Sequence, residues 1–409
     1  MRVDLFTMER TQCLYEHEVR FNLSESGVRP LTVDELLDDG GAGRGAADLG
    51  GLSLAYPPST GSPLLRERIA AWYPGATPGN ILVTNGGSEA NFTALWGLIE
   101  PGTRVAVMLP NYMQAWGLAR AWAGRADPFR LVERPADATG GPRWALDQES
   151  LRRAVGPRTR VIVVTNPSNP TGHVLTEAEI ETIVRVARRA RAWLLVDEVY
   201  RGAEVGPAGA PEPVTSPTFW GRDARVVVTA GLSKAFGLPG LRTGWIVAPE
   251  PLQRRLCRYQ DYTTLTPTAL SDRLAAVAME PRRRETLLAR TRAIIASHLP
   301  PLEAWIARHG GLFRYIRPRA GAIAFLRYDL PIASGPLFER LRRERSVLIT
   351  PGAHFGTGRY IRVGFGYDIG RTLEGLRACE PVFEALRRGA SGSRGRSSPG
   401  SPTRRPPRA

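Results

Sequence analysis

Between Ile81 and Val247 the sequence alternates short apolar runs with longer amphipathic stretches, and this alternation limits what the chain can fold into. Ile81–Thr84, Arg104–Leu109, Pro128–Val132, Arg160–Thr165, Trp193–Val196, Val226–Thr229 and Trp245–Val247 read as strands. Helices are expected from Gly86-Gly87-Ser88 to about Leu98, and over Met113–Ala123, Gln148–Val155 and Thr176–Arg191. Strands alternating with helices predict an α/β fold: a mostly parallel sheet covered on both faces, in three layers. After Pro249 the chain turns helical, with a long amphipathic stretch over about 281–309. Short strands at 312–316, 322–326, 347–349 and 360–363, and helices at 336–344 and 369–388, then predict a smaller α+β unit. The expected organisation is an N-terminal segment, 1–50, packing on the small domain; a large domain, 51–280; a small C-terminal domain, 281–388; and a tail, 389–409. Within the first segment a short helix is expected near Val33–Leu37 and a flexible loop at Gly40–Gly45.

The net charge of +16 raises the question of a nucleic-acid partner. From Arg387 onward there are seven arginines and no acid, a composition that cannot bury a core and is expected to be disordered. The rest of the surplus reads as arginine-rich surface without interleaved aromatics, so nucleic acid is not the expected partner. Cys13, Cys257 and Cys379 lie far apart and five histidines are scattered, so free thiols and no metal site are expected. No run of eighteen apolar residues and no leader-like N-terminus is present, which predicts a cytoplasmic protein without a membrane span.

Lys234 is the only lysine among 409 residues; every other cationic side chain is arginine. An exposed lysine is replaceable by arginine at little cost. A lysine retained alone points to something a guanidinium cannot do, namely lose its proton and attack a carbonyl. That chemistry is a Schiff base; chance survival under arginine-rich coding is the competing explanation.

Other candidates cluster at the C-terminal ends of expected strands, where ligands gather in open α/β sheets. Asn85-Gly86-Gly87-Ser88 joins a strand to a helix. Its glycines admit close backbone approach and the helix N-terminus favours a phosphate; a simple N-cap at Ser88 fits equally well. In Thr165-Asn-Pro-Ser-Asn169-Pro-Thr-Gly172 two Asn-Pro pairs fix the backbone and aim the Asn169 amide toward a ligand. Asp197 ends an apolar strand and wants a cationic partner: a protonated cofactor ring, a metal or an ion pair. Arg242, eight residues after Lys234, is placed to reach the same phosphate, though surface arginines are common here. Arg362 sits inside an apolar strand and suits a substrate carboxylate or a structural glutamate. Tyr112 reads as a ring that stacks on a cofactor or as a plain core tyrosine.

Together these residues resemble the fold-type I pyridoxal-phosphate enzymes, specifically the class I/II aminotransferases, over about residues 25–388. The most specific pieces are Asn169-Pro-Thr-Gly172, the Asp197…Tyr200 pair, and Gly231-Leu-Ser-Lys234 with Arg242. The resemblance implies pyridoxal 5'-phosphate as cofactor, joined to Lys234, which shuttles a proton. It implies Asp197 on the ring nitrogen, Tyr200 and Asn169 on the ring oxygen, and Tyr112 stacked on the ring. Gly86, Gly87, Ser88, Ser233 and Arg242 hold the phosphate; Arg362, with Gly27 and Asn169, receives the amino acid. Tyr56 matches a tyrosine that reaches the neighbouring subunit's phosphate, implying a homodimer with a shared active site. The implied reaction moves an amino group between an L-amino acid and a 2-oxo acid. One departure stands out: Gly231 occupies a position where the family usually has a phosphate-binding serine, which implies weaker phosphate affinity.

Ser24-Glu-Ser-Gly-Val28 and Arg258-Tyr-Gln-Asp-Tyr-Thr-Thr-Leu-Thr266 also look like those of capreomycidine synthases. These related enzymes use the same cofactor for elimination and ring closure on a hydroxylated arginine, so a lyase or cyclase of secondary metabolism is the alternative reading. A non-catalytic regulator with an aminotransferase-like domain ranks third, because residues 1–50 are too short and Gly-rich for a fused DNA-binding module.

Overall fold

The computed structural model describes residues 3–38, 49–136, 141–206 and 215–394. The N-terminal segment contributes α1 (Thr7–Tyr15), β1 (Phe21–Asn22) and α2 (Val33–Leu37). Helix α2 opens on a capping box between Thr32 and Glu35, and α3 (Pro63–Ala70) on a Ser62 cap followed by proline.

An eight-stranded sheet follows, built from β2 (Ile81–Thr84), β3 (Arg104–Leu109), β4 (Ala126–Arg134), β5 (Arg143–Leu146), β6 (Thr159–Thr165), β7 (Trp193–Asp197), β8 (Val226–Gly231) and β9 (Gly244–Val247). Helices α4 (Gly87–Leu98), α5 (Gln114–Trp122), α6 (Gln148–Ala154) and α7 (Glu177–Ala190) form the crossovers. The spatial order is β2-β9-β8-β7-β6-β3-β4-β5. Only β9 and β5 run against the other six. Both faces are apolar: on β6, Ile162 and Val164 join one core cluster while Val161 and Val163 join the other. Each such side chain contributes about 1.5–3 kcal/mol on full burial.

The chain continues through α8 (Glu250–Gln260), α9 (Ala269–Ala278) and the long α10 (Pro281–Arg308). Then come β10 (Phe313–Tyr315), β11 (Ile323–Tyr328), α11 (Ser334–Arg345), β12 (Val347–Leu348), β13 (Thr350–Pro351), β14 (Tyr360–Gly364) and α12 (Ile369–Arg394). Four of these strands make a small antiparallel sheet, β10-β11-β14-β13, while β12 pairs in parallel with β1. The fold is therefore the expected α/β sheet with helices on both sides plus a smaller antiparallel unit.

Several local expectations change. Helix α1 was not legible, because Phe6 at its N-cap position offers no capping side chain. Strand β5 is four residues long and forms only by pairing with the outer edge of β4, Leu131 opposite Leu146. Helix α4 starts at Gly87 on a Gly86 cap with φ 97°, so Ser88 lies inside the first turn and is not the N-cap. Helix α12 runs to Arg394, into the first residues of the tail expected to be disordered. The Gly40–Gly45 loop and residues 395–409 lie outside the described residues.

Candidate active site

The six co-directional strands deliver their C-terminal ends to one edge of the large sheet, and antiparallel β9 delivers its N-terminal end there. A cavity of about 320 Å³ opens at this edge, lined by Lys234, Ser233 and Asp197 together with Tyr200, Asn169 and Tyr112. Gly87, Ser88, Arg242 and Arg362 complete the set of predicted residues on its wall. Gly27 lies beside it: a Cβ there would stand 3.9 Å from Cδ of Lys234. Tyr56 is not part of this wall; it is 85% exposed on the surface.

One end of the cavity is built for an anion. No side chain caps the N-terminus of α4, so its first N–H groups face outward with the positive end of the helix dipole. Arg242 Nη1 donates to Ser233 Oγ at 3.3 Å, and the Arg242 guanidinium sits where a Cβ on Gly86 would be. Gly231 and Gly244 face each other across β8 and β9. A Cβ on Gly231 would stand 2.9 Å from the Thr243 carbonyl oxygen, and one on Gly244 would run into the Gly86–Gly87 peptide. The approach of β9 to β8 thus crowds any side chain at Gly231, and its approach to the start of α4 requires Gly244.

Asp197 ends β7. Asn91 Nδ2 donates to its Oδ2 at 2.8 Å and the Val199 N–H to its Oδ1 at 3.0 Å. Burial pushes its pKa up, while the Asn91 and Val199 donors oppose the shift. Across the cavity, burial lowers the Lys234 pKa; Arg362 and Arg242 push the same way, against Glu25 and Glu9. A buried amine with a lowered pKa is poised to act as nucleophile.

Arg362 on β14 is 1% exposed. Its Nη1 donates to Asn169 Oδ1 at 2.9 Å, and its Nη2 to the Ser24 carbonyl at 2.5 Å and to Thr350 Oγ1 at 3.2 Å. Its Nε has no partner, and among the described residues no carboxylate stands within ion-pair distance of it; Glu25 and Glu9 act on it only from farther off. The structural-glutamate explanation is therefore set aside, and desolvation lowers the pKa of this guanidinium. Nearby, the Tyr200 hydroxyl is buried without a hydrogen-bond partner. Unpaired buried polar atoms on residues lining a cavity mark where a ligand can complete the network, and Ser26 is the protein side chain that acts on the Tyr200 hydroxyl.

Tyr112 is neither free nor a plain core residue. Its hydroxyl donates to Glu9 Oε1 at 2.9 Å and its ring meets Phe6 edge-on at 4.8 Å. Glu9, with Gln12, Cys13 and Glu16, brings α1 onto the cavity wall, and Glu25 joins from the following loop. No local sequence pattern announces this wall, because α1 has no capping side chain. Nor does any announce Asn91, whose spacing four residues after Gly87 places it one helical turn in, directly over β7.

The uncapped helix end with Arg242, the paired Asp197 carboxylate, the Tyr200 hydroxyl and the Lys234 amine fit a phosphorylated pyridine aldehyde. Comparisons with known proteins agree. The profile of the family "Aminotransferase class I and II" matches residues 28–377. Capreomycidine synthase of Streptomyces vinaceus is 34% identical over 382 residues, covering 91% of this chain and 92% of that protein. A PLP-dependent aminotransferase from Streptococcus suis superposes with a TM-score of 0.84 at 28% identity, covering 94% of this chain and 99% of that one. The PLP-dependent cyclase OrfR gives 0.78 at 27% identity, covering 95% and 98%. The chain belongs to the class I and II aminotransferase family, whose cofactor is pyridoxal 5'-phosphate.

Proposed function

We propose that this protein is an aminotransferase that moves an amino group between an L-amino acid and a 2-oxo acid, with Lys234 as the residue that binds the cofactor aldehyde. The Gly86, Gly87 and Ser88 segment, Ser233 and Arg242 hold the phosphate. Asp197 faces the ring nitrogen, Tyr200 and Asn169 the ring oxygen, and Tyr112 the ring face. Arg362, flanked by Asn169 and Gly27, takes the substrate α-carboxylate. When bound, the cofactor supplies the electron sink that accepts the charge left as Cα loses its proton. The Lys234 amine would take that proton from the substrate Cα and hold it for return. Tyr56 is assigned to the phosphate of a second copy, in a homodimer in the cytoplasm.

The observation that carries this reading is Arg362: a buried cation with no carboxylate in ion-pair contact among the described residues, sharing a cavity with the only lysine. A carboxylate is the group common to both substrates of a transamination and gives the planar fit a guanidinium prefers. Amino transfer also needs no acid beyond Lys234. The test is a half-reaction: holoenzyme given an amino donor alone should stop after one turnover, with the amino group on the cofactor, and resume when a 2-oxo acid is added.

A second reading has its own support. Glu9, Glu16 and Glu25 put three carboxylates on one side of the cavity, which suits a substrate with a cationic side chain and provides acids beside a leaving group. The similarity to capreomycidine synthase and to the cyclase OrfR points the same way. Continuous product release from the donor alone, without a 2-oxo acid, selects elimination or ring closure over transamination.

A further inference from the structure

Asp197 is held by more than its own strand. Its backbone stands opposite Thr229 on β8. Thr229 is fully buried, and its Oγ1 donates to Asn91 Oδ1 at 2.6 Å. Asn91, 9% exposed, uses the other end of the same amide, Nδ2, to reach Asp197 Oδ2 at 2.8 Å. Three elements, β8, α4 and β7, therefore meet in one chain of hydrogen bonds that ends at the cavity.

The two ends of a carboxamide are chemically different: one only accepts, the other only donates. An ionised Asp197 requires the donating end, and the Thr229 hydroxyl, by giving its proton to Oδ1, occupies the accepting end. We propose that Thr229 and Asn91 are positioning residues that fix the plane of the Asp197 carboxylate and keep it ionised where the cofactor ring nitrogen sits. This rests on the pairing of Asp197 with that ring nitrogen. Each carboxylate oxygen already receives one protein hydrogen bond, from Val199 N–H and from Asn91, so the orientation is set before any ligand enters. Burial pushes the carboxyl toward its neutral form, and the Asn91 donor works against that. Removing the Thr229 hydroxyl leaves Asn91 Oδ1 unsatisfied and frees the amide to turn its oxygen toward the carboxylate.

The test compares Asn91→Leu, Thr229→Val, Thr229→Ser and Asp197→Ala in two measurements: cofactor affinity of the apoprotein by fluorescence titration, and the absorption band of bound cofactor at one fixed pH. Thr229→Val and Asn91→Leu should each weaken cofactor binding about tenfold, the scale of one buried hydrogen bond to a charge. Both should shift the band in the same direction as Asp197→Ala. Thr229→Ser, which keeps the hydroxyl, should stay within about twofold of wild type. Should Asn91→Leu fail to fold, Thr229→Val decides alone. Wild-type affinity and spectrum in Thr229→Val, with both altered in Asp197→Ala, overturns the relay and leaves the Asp197 assignment standing. Wild-type behaviour in Asp197→Ala overturns both.

Discussion

Arg362 Nη1 and Asn169 Oδ1 are joined by a 2.9 Å hydrogen bond, and it links the small sheet to the large one. Arg362 lies on β14; Asn169 lies on the loop after β6. The group proposed to hold the substrate is thus positioned by a residue proposed to touch the cofactor. A second anchor, Ser24, comes from the N-terminal segment. The position of Arg362 therefore depends on three parts of the chain converging.

Replacing Arg362 should separate substrate binding from cofactor binding. Arg362→Lys keeps a charge but loses the planar fork, so kcat/KM for α-amino acids should fall about 100-fold, roughly 2.7 kcal/mol. Cofactor affinity should change less than about threefold, since no phosphate or ring contact is removed. Steady-state kinetics and a cofactor titration read the two effects; an unchanged kcat/KM counts against the carboxylate assignment.

Gly231→Ser restores the serine that the family usually carries, but the geometry argues against any gain. A Cβ at Gly231 would stand 2.9 Å from the Thr243 carbonyl and 3.2 Å from Gly244 Cα, both backbone atoms of β9 or its approach. The variant should lose about 1–3 kcal/mol of stability, the usual scale of overpacking, and bind cofactor no more tightly. Thermal unfolding and a cofactor titration check both parts, and tighter binding with unchanged Tm contradicts this account of the glycine.

The lowered Lys234 pKa gives a pH prediction. Burial, aided by Arg362 and Arg242, places this ammonium below 10.5. Condensation with an aldehyde needs the neutral amine, so the rate of cofactor loading should rise with pH and level off below 10.5. The sign for stability follows: the folded apoprotein binds this proton less readily than the unfolded chain, so its stability rises as pH climbs from the folded pKa toward 10.5. A loading rate that keeps climbing as for an exposed lysine runs against the prediction.

Much of the site was legible because its residues stand at strand ends. Gly86, Asn169, Asp197 and Lys234 each follow an apolar run and carry turn or charge signals that fit poorly with a continuing strand. Glu9 was not legible. Helix α1 has no capping side chain and is held by tertiary bonds, Tyr112 to Glu9 and Gln12 Nε2 to Ser24, that no local pattern announces. Asn91 was missed for a related reason: an asparagine inside a helix acquires meaning only when β7 and β8 bring Asp197 and Thr229 to it. At Gly231 the sequence predicts a lost donor, whereas the space the glycine leaves is bounded by β9, a neighbour in the sheet and not in the sequence.

Tyr56, 85% exposed, should matter only through a second copy of the chain. Tyr56→Phe should weaken cofactor affinity several-fold while leaving monomer stability within about 0.5 kcal/mol, the range of a surface change. Mixing inactive Lys234→Ala with Tyr56→Phe subunits should give hybrid dimers with one site restored to wild-type cofactor affinity; hybrids whose active site keeps the weakened affinity of Tyr56→Phe argue against a shared site.

The most direct measurement is reduction of the cofactor-loaded protein with borohydride, followed by peptide mass analysis. With a single lysine in 409 residues the outcome is unambiguous. The account predicts loss of the yellow absorption and a reduced pyridoxyl-phosphate adduct on the peptide containing Lys234. A loaded protein whose colour survives reduction, or whose Lys234 peptide stays unmodified, contradicts it.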